Sequence, residues 1–467
     1  MLKHLLIFSR RILFLMFFCF VVNQAFAQAG NAKPNIIFIL TDDQRWDAMG
    51  AMGNPIIQTP NIDKLANAGI LFKNAFATTS ICCVSRASIL TGQYQSRHGI
   101  NDFETNLSVK AFSKTYPVLL KNAGYNVGFV GKFGVGLKPP AEVFDFLMNT
   151  ESEGKTQPEY ILTDANGNKI HDTDSIGHAV QNYLDQCSAK QPFCLSVSFK
   201  APHEQDGNPP VYIIQDRYAD YYRDVKIPEP FTADPKYWDL MPYFFKKPED
   251  LGRVRWKGFL STPELYQQNV KNYYRLITGV DDVIGNIRLR LKKMGVEKNT
   301  IIIFMGDNGM LLGEHGMEGK WNGYDESIRV PLLIYDPRLP DTINRVKTNQ
   351  IALNIDIAPT ILSLAGLPVP AEMQGVDLIG QIENKYPERK SFFYQHYFLG
   401  SPQLPKVEGV VTKNWRYMKY LEYDYEQLFD IRADPHEINN LVNIPMYKKE
   451  LNALRKSYQA LKKEAFE

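Results

Sequence analysis

Two adjacent cysteines, Cys82 and Cys83, open a short apolar run that contains Arg86 and ends at Gly92. The run is compatible with a helix that begins near Cys82, where free backbone N–H groups and the helix dipole favour an anion. Arg86 lies four residues after Cys82 on the same helical face and can hold an oxyanion through two parallel hydrogen bonds. The pattern indicates a thiol within an anion site, or alternatively two cysteines buried in a packed helix.

Carboxylates follow two apolar, β-branched runs that are typical of strands buried on both faces. Asp42 and Asp43 follow the first run, and Asp307 and Asn308 follow the second, at 299–305. Ligands gather at the carboxyl ends of strands in open α/β sheets, and these oxygens suit a hard divalent cation, Ca²⁺ in preference to Mg²⁺. For Asp42 and Asp43, position alone favours a role in a loop or as a helix cap over metal binding.

Three further side chains are candidates for binding an anion or moving a proton. Lys132 is flanked by glycines that can approach an anion closely, and His203 follows a strand-like segment at 195–200. An imidazole can act as a general acid near neutral pH. Lys320 is the third candidate. The residues around it do not distinguish it from a solvated surface lysine.

The segment from Cys82 to Gly92 fits Cys-x-x-Ser-Arg-x-x-x-Leu-Thr-Gly and resembles the signature of the sulfatase family, within the alkaline phosphatase superfamily. The resemblance implies that Cys82 is oxidised to formylglycine, whose hydrate attacks sulfur. It also implies a metal site formed by Cys82, Asp42, Asp43, Asp307 and Asn308. It implies that Lys132, His203 and Lys320 contact the sulfate group, and that Arg86 helps to orient and activate the formylglycine hydrate.

Two positions depart from the family pattern. Val84 stands where the family usually has Pro, less often Ala, within the segment that the modifying enzyme recognises. Gly134 stands where the family has a histidine near the formylglycine. The resemblance assigns no firm role to His315.

The predicted fold is α/β: an alkaline-phosphatase-like large mixed sheet flanked by helices, with a small C-terminal antiparallel sheet and helix. We expect a signal peptide at 1–27, a catalytic domain at 28–385 and a C-terminal α+β subdomain at 386–467. Apolar residues at helical spacing predict a long helix from Pro263 to about 295. An aromatic-rich stretch at 204–262 suits either sugar stacking or packing under long loops.

The N-terminus predicts export to the periplasm or beyond. A basic start with Lys3 is followed by an apolar run at 12–22 that is too short to span a bilayer, and by a small-x-small cleavage site. The full chain has 53 basic and 51 acidic residues, and removal of residues 1–27 takes away three basic and no acidic residues, so the remaining chain has a net charge of about −1. We therefore predict no nucleic-acid partner and no membrane anchor. An oxidising compartment permits a disulfide between Cys187 and Cys194.

These observations together predict an exported Ca²⁺-dependent sulfatase that acts on a sulfated polysaccharide or oligosaccharide. Its maturation would need a formylglycine-generating or sulfatase-maturing enzyme. A phosphodiesterase or phosphonate monoester hydrolase of the same superfamily is the main alternative, because such enzymes share the cysteine motif. The other alternative is a sulfated-glycan binder without turnover, in which Cys82 stays unconverted.

Overall fold

The computed structural model describes residues 33–151, 157–164, 166–207, 209–401 and 404–467. The predicted signal peptide at 1–27 lies outside the described residues. Seventeen strands occur in the described part of the chain: β1 Asn35–Asp42, β2 Ile70–Phe76, β3 Asn126–Gly131, β4 Phe146–Asn149, β5 Ile161–Thr163, β6 Lys169–His171, β7 Phe193–Pro202, β8 Thr300–Gly306, β9 Leu311–Leu312, β10 Glu318–Gly319, β11 Arg329–Val330, β12 Leu332–Tyr335, β13 Val346–Leu353, β14 Ser391–His396, β15 Val407–Thr412, β16 Trp415–Tyr420 and β17 Tyr425–Asp430.

Nine of these strands form one large sheet in the order β11-β2-β12-β8-β1-β7-β3-β4, with β13 also paired to β2. Strand β1 runs parallel to both β8 and β7, and β3 runs parallel to β7 and β4. Strand β12 is antiparallel to β8 and β2. The predicted mixed sheet is therefore confirmed, and the carboxyl ends of β8, β1, β7 and β3 meet at one edge.

The α-helices of the described residues are α1 Pro60–Ala68, α2 Cys82–Thr91, α3 Gln95–His98, α4 Val109–Phe112, α5 Tyr116–Asn122, α6 Asp172–Gln186, α7 Pro235–Trp238, α8 Leu251–Phe259, α9 Pro263–Lys293, α10 Asp325–Ile328, α11 Ile357–Leu364, α12 Leu378–Ile382 and α13 Lys448–Phe466. Short 3₁₀ turns connect several of them. The long helix predicted from Pro263 is confirmed as α9. Among the described residues, no helix is long and apolar enough to cross a bilayer.

Helices cover both faces of the large sheet because successive side chains of each strand point to opposite sides. In β1, Ile37 and Ile39 join a core with α6 and α9, whereas Ile36, Phe38 and Leu40 join a second core with α2, α5 and α11. All eight residues of β1 are buried. This two-sided burial explains why the strand is continuously apolar up to its last residues.

The C-terminal part forms the small antiparallel sheet that the sequence predicts, in the order β14-β15-β16-β17. Helix α13 packs on it through Leu451, Leu454 and Tyr458, which contact Phe393 and Tyr417 within one apolar cluster.

The predicted disulfide between Cys187 and Cys194 is wrong for this structure, in which both are free thiols. Cys194 is buried within β7 and belongs to the core beside α2, α5 and α11. Cys187 follows α6 and packs against the core on the other face of the sheet. The sheet therefore separates the two side chains, and closeness in sequence does not bring them together.

Candidate active site

The sheet edge brings most of the predicted site residues together. Strand β1 ends at Asp42, which pairs in register with Pro202, one residue before His203. Thr41 pairs with Gly306, so that Asp307 emerges beside the β1 end. Lys132 directly follows β3, whose last residue pairs with Ser198. Parallel pairing thus places side chains from four strands in one buried cluster.

Helix α2 presents Cys82 to this cluster as its first residue. Ile81 precedes it without a side-chain cap, and Gly92 ends the helix in the left-handed conformation, with φ 67°. Cys82 is 1% exposed and packs against Trp321 and Phe398. Burial raises the pKa of its thiol to about 11, although Lys132 and Lys320 act to lower it. Because a protonated thiol is a poor nucleophile, Cys82 in its unmodified form is not activated for attack.

Asp43 is the point where several elements converge. Its backbone is left-handed, with φ 61°, which turns the chain sharply after β1. Its Oδ1 accepts hydrogen bonds from Asn308 Nδ2, at 2.6 Å, and from Lys320 Nζ. Its Oδ2 lies 3.4 Å from His203 Nε2. The hairpin of β9 and β10 delivers Lys320 to this position.

Arg86 is bonded to protein groups on three sides, which differs from the predicted grip on a substrate oxyanion. Its Nε donates to Asp307 Oδ2 at 2.9 Å, and its Nη1 donates to the Lys132 carbonyl at 2.8 Å and to Ser198 Oγ at 2.5 Å. Its Nη2 lies 3.5 Å from Asp42 Oδ2. With only 2% exposure, Arg86 fixes the strand ends and the carboxylates relative to one another.

Asp42 and Asp307 are fully buried, and their pKa values are shifted in opposite directions. Burial opposes the ionisation of Asp42, yet Lys132 and the other nearby cations outweigh it and hold its pKa below its ordinary value. Lys132 Nζ contacts Asp42 Oδ2 at 2.5 Å. For Asp307, burial and the charge of Asp42 raise the pKa to about 6, despite Arg86. Two adjacent buried carboxylates therefore repel each other, as expected where a cation is needed between them.

Three buried oxygens at the predicted metal site have no hydrogen-bond partner among the described residues: Asp42 Oδ1, Asp43 Oδ2 and Asn308 Oδ1. Buried polar atoms are nearly always paired, so this group of unpaired acceptors fits a hard cation that binds oxygen. Ligand atoms of Asp42, Asp43 and His203 lie within 4.8 Å of one another. Asp307 differs from the others, because both of its carboxylate oxygens accept hydrogen bonds, from Asp43 N, Asn308 N and Arg86.

His203 is held in a defined orientation. Its Nδ1 lies 2.7 Å from the Glu204 carbonyl, which can only accept, so Nδ1 carries a proton and Nε2 faces Asp43. Tyr160 donates its hydroxyl to the His203 carbonyl at 2.6 Å. Arg255 contacts the carboxylates of both Glu204 and Glu318. The sequence did not predict the roles of Tyr160, Glu204 and Arg255 beside His203. The only available signal was that Glu204 directly follows His203 in the sequence.

The two departures from the family pattern have clear structural settings. Gly134 has φ 70°, and an added Cβ would lie 2.7 Å from Arg86 Cδ, so no side chain fits there without movement. Its backbone N–H instead donates to Glu151 at 3.1 Å. Val84 is completely buried within α2.

Other candidates prove to be packing residues. His315 stacks on Tyr324 with ring centroids 4.6 Å apart, and burial lowers its pKa to about 4. Within the aromatic stretch, Tyr218 and Tyr222 are buried against α9, which favours the packing interpretation for them. Trp238 and Trp256 flank the Arg253 guanidinium at 4.3 and 3.9 Å.

Comparison with known proteins agrees with this geometry. The family model described as Sulfatase matches residues 34–367. The chain belongs to the sulfatase family. A second model, described as N-sulphoglucosamine sulphohydrolase, C-terminal, matches residues 313–464. As a sulfatase, the protein is a sulfuric ester hydrolase.

Individual sulfatases resemble the chain over nearly their whole length. It is 29% identical to an N-acetylglucosamine-6-O-sulfatase of Bacteroides thetaiotaomicron, over 92% of this chain and 87% of the relative. It is 30% identical to an arylsulfatase of Clostridium perfringens, over 91% and 93%. A structure solved in complex with its substrate D-glucosamine-2-N,6-O-disulfate superposes with a TM-score of 0.78 at 27% identity, covering 93% of this chain and 98% of the other.

Proposed function

We propose that this sulfatase removes sulfate from a sulfated polysaccharide or oligosaccharide by means of a formylglycine made from Cys82. The observation that carries the proposal is the cluster at the sheet edge: Cys82 at the start of α2 faces buried carboxylates with unpaired oxygens and two buried lysines, Lys132 and Lys320. Two buried lysines beside one modifiable side chain suit the negatively charged sulfate group of a sulfate ester more than a neutral ester.

Formylglycine at residue 82 would, when hydrated, supply an oxygen nucleophile for attack on sulfur, and it would be recovered as the aldehyde at the end of the cycle. The net reaction consumes the ester and one water, and yields an alcohol, sulfate and a proton. Within this chain, Lys132 and Lys320 neutralise charge on the sulfate oxygens. His203 or Lys320 gives a proton to the alcohol oxygen as its bond to sulfur breaks.

Calcium is the proposed metal, held by Asp42, Asp43, Asp307, Asn308 and residue 82. When bound, it supplies positive charge that orients the nucleophile and polarises a sulfate oxygen. In this structure Lys132 and Lys320 neutralise the two aspartates. A divalent cation would take over that neutralisation and leave both ammonium groups for the substrate.

Two relatives support a proposal for the substrate class. One is named for N-acetylglucosamine 6-sulfate, and the superposed structure holds a glucosamine 2-N,6-O-disulfate. We propose a sulfated amino sugar within a glycan as the first candidate. Export, inferred from residues 1–27, would bring the enzyme to such glycans, after a formylglycine-generating or sulfatase-maturing enzyme has converted Cys82.

The test is sulfate release from N-acetylglucosamine 6-sulfate by purified protein whose Cys82 is converted, with Cys82→Ala as the control. We expect release that needs calcium and is lost in Cys82→Ala. Hydrolysis of phosphonate monoesters or phosphodiesters, with sulfate esters untouched, would favour the superfamily alternative. Tight binding of the sulfated sugar without turnover by converted protein would make the chain a binder.

A further inference from the structure

We infer that Gln157 is a further catalytic residue, whose side-chain amide donates a hydrogen bond to the sulfate group or to the reacting oxygen on residue 82. The inference rests on the proposed function. Gln157 Oε1 accepts from Lys132 Nζ at 2.7 Å, and Gln157 Nε2 lies 4.0 Å from Cys82 Sγ. The residue therefore bridges the proposed nucleophile and a proposed sulfate-binding lysine.

The direction of the amide is fixed by its neighbour. A lysine ammonium only donates hydrogen bonds, so the carbonyl oxygen of Gln157 must face Lys132. The NH₂ group consequently faces Cys82. Sulfur at this position stands in for the oxygen atoms that conversion would place on the Cβ of residue 82. Both of those oxygens and the sulfate oxygens are acceptors, which matches an N–H donor.

The segment that carries Gln157 is fastened to the active site by several independent contacts. The Pro158 carbonyl accepts from Lys200 Nζ, which also lies 4.8 Å from the ring centroid of Tyr160. Tyr160 N donates to Gln205 Oε1 at 2.9 Å. The Tyr160 hydroxyl binds the carbonyl of His203. Residues 157–160 are thus tied to the same strand end that presents His203, and Gln157 is held where its amide can act.

Gln157 reaches residue 82 in a site where position 134 carries no side chain. No side chain fits at Gly134 beside Arg86, and its N–H is already bonded to Glu151. The residue that sequence comparison expects at 134 has no counterpart there, whereas Gln157 reaches Cys82 from a different segment. A neutral amide donates hydrogen bonds but does not exchange protons near neutral pH. We therefore assign it a binding role toward developing negative charge, and no role as a base.

The experiment compares Gln157→Leu and Gln157→Glu with the wild-type enzyme, with Gln268→Leu on the exposed face of α9 as the matched control. Rates of sulfate release are divided by the formylglycine content of each preparation, measured by mass spectrometry. We expect kcat/KM to fall about tenfold to a hundredfold in Gln157→Leu, as for loss of one hydrogen bond to a charged group. Gln268→Leu should match the wild type.

Gln157→Glu separates binding from mere positioning of Lys132. The carboxylate still accepts from Lys132, but it cannot donate and it repels sulfate. We therefore expect Gln157→Glu to lose at least as much activity as Gln157→Leu, with weaker competitive inhibition by inorganic sulfate. Full activity in Gln157→Glu, or wild-type kcat/KM in Gln157→Leu, would overturn the inference.

A second measurement does not depend on conversion or turnover. Binding of inorganic sulfate to Cys82→Ala protein is compared, by calorimetry, with binding to Cys82→Ala/Gln157→Leu protein. About tenfold weaker binding in the double variant supports the role of Gln157, and equal binding contradicts it. Failure of the proposed function would give a different result: the converted wild-type enzyme would release no sulfate.

Discussion

At the scale of single residues, cations and carboxylates in the site are divided between two tasks. Arg86 donates hydrogen bonds to Asp307, Ser198 and the Lys132 carbonyl, so it holds the strand ends in position. Lys132 and Lys320 each contact one aspartate and are the cations that a metal would release. The family resemblance identified all three residues from the sequence. It did not show which of them bind protein groups, because that depends on which strand ends lie beside α2.

Calcium should stabilise the folded protein through Asp43. We expect calcium to raise the thermal unfolding midpoint of the wild type, because a ligand present at a hundred times its Kd adds about 2.7 kcal/mol to the free energy of unfolding. In Asp43→Asn, calcium should raise the unfolding midpoint much less. In the control Asp220→Asn, which changes an exposed aspartate, calcium should raise the midpoint as much as in the wild type. Differential scanning fluorimetry with calcium, magnesium or a chelator measures this. Equal midpoints in calcium and chelator would contradict the proposed metal site.

Gly134 should not tolerate a side chain. Gly134→Ala and Gly99→Ala both place alanine at a positive φ, 70° and 74°, which costs about 1–2 kcal/mol. Only Gly134→Ala also brings a Cβ to 2.7 Å from Arg86 Cδ, whereas nothing lies within 4 Å at Gly99. We expect the larger loss of free energy of unfolding in Gly134→Ala, measured by urea titration. Equal losses in the two variants would show that the Arg86 side chain moves aside without lowering the free energy of unfolding.

At the scale of elements, the sheet edge was predictable and the loops that close over it were not. Apolar runs before Asp42 and Asp307 predicted strands whose ends carry the site, and parallel pairing of β1 with β8 confirms that placement. The segment 157–160 gave no signal, because it has no periodicity and its contacts are to residues distant in sequence. The position of Gln157 is therefore a property of tertiary structure alone.

Helix α10 is linked to the C-terminal sheet by a buried ion pair. Asp325 contacts Arg416 of β16 and lies 3.0 Å from Arg329. Asp325→Asn should lower the free energy of unfolding by about 3–5 kcal/mol at neutral pH, since it leaves a buried guanidinium unpaired. Asp424→Asn, which removes an aspartate that is 92% exposed, should cost under about 1 kcal/mol.

The pH dependence of this ion pair has a defined sign. Burial opposes ionisation of Asp325, but Arg416 and Arg329 hold its pKa below the ordinary value of 3.8. A depressed carboxyl pKa stabilises the folded state above the unfolded-state pKa, and that contribution is lost as pH falls through the folded-state value. Urea titrations should show the gap between wild type and Asp325→Asn narrowing below pH 3.8. A gap that stays constant would contradict the ion pair.

At the scale of the whole molecule, sequence predicted the α/β architecture and the C-terminal sheet with its helix, because both follow from hydrophobic periodicity and a family motif. The boundary expected at 385 stays a prediction. Contacts such as Asp325 with Arg416 join the two parts closely, and no composition signal reports them. The disulfide prediction failed for the same reason, since sequence separation says nothing about which face of a sheet a cysteine occupies.

The central claim is that residue 82 is a formylglycine, and mass spectrometry of the peptide that contains it tests this most directly. Protein would be made in its natural host, digested, and compared with a synthetic peptide that carries cysteine. We predict a peptide lighter by the difference between a thiol and an aldehyde, with Val84 tolerated by the modifying enzyme. An unmodified Cys82 in protein that nevertheless releases sulfate would contradict the account.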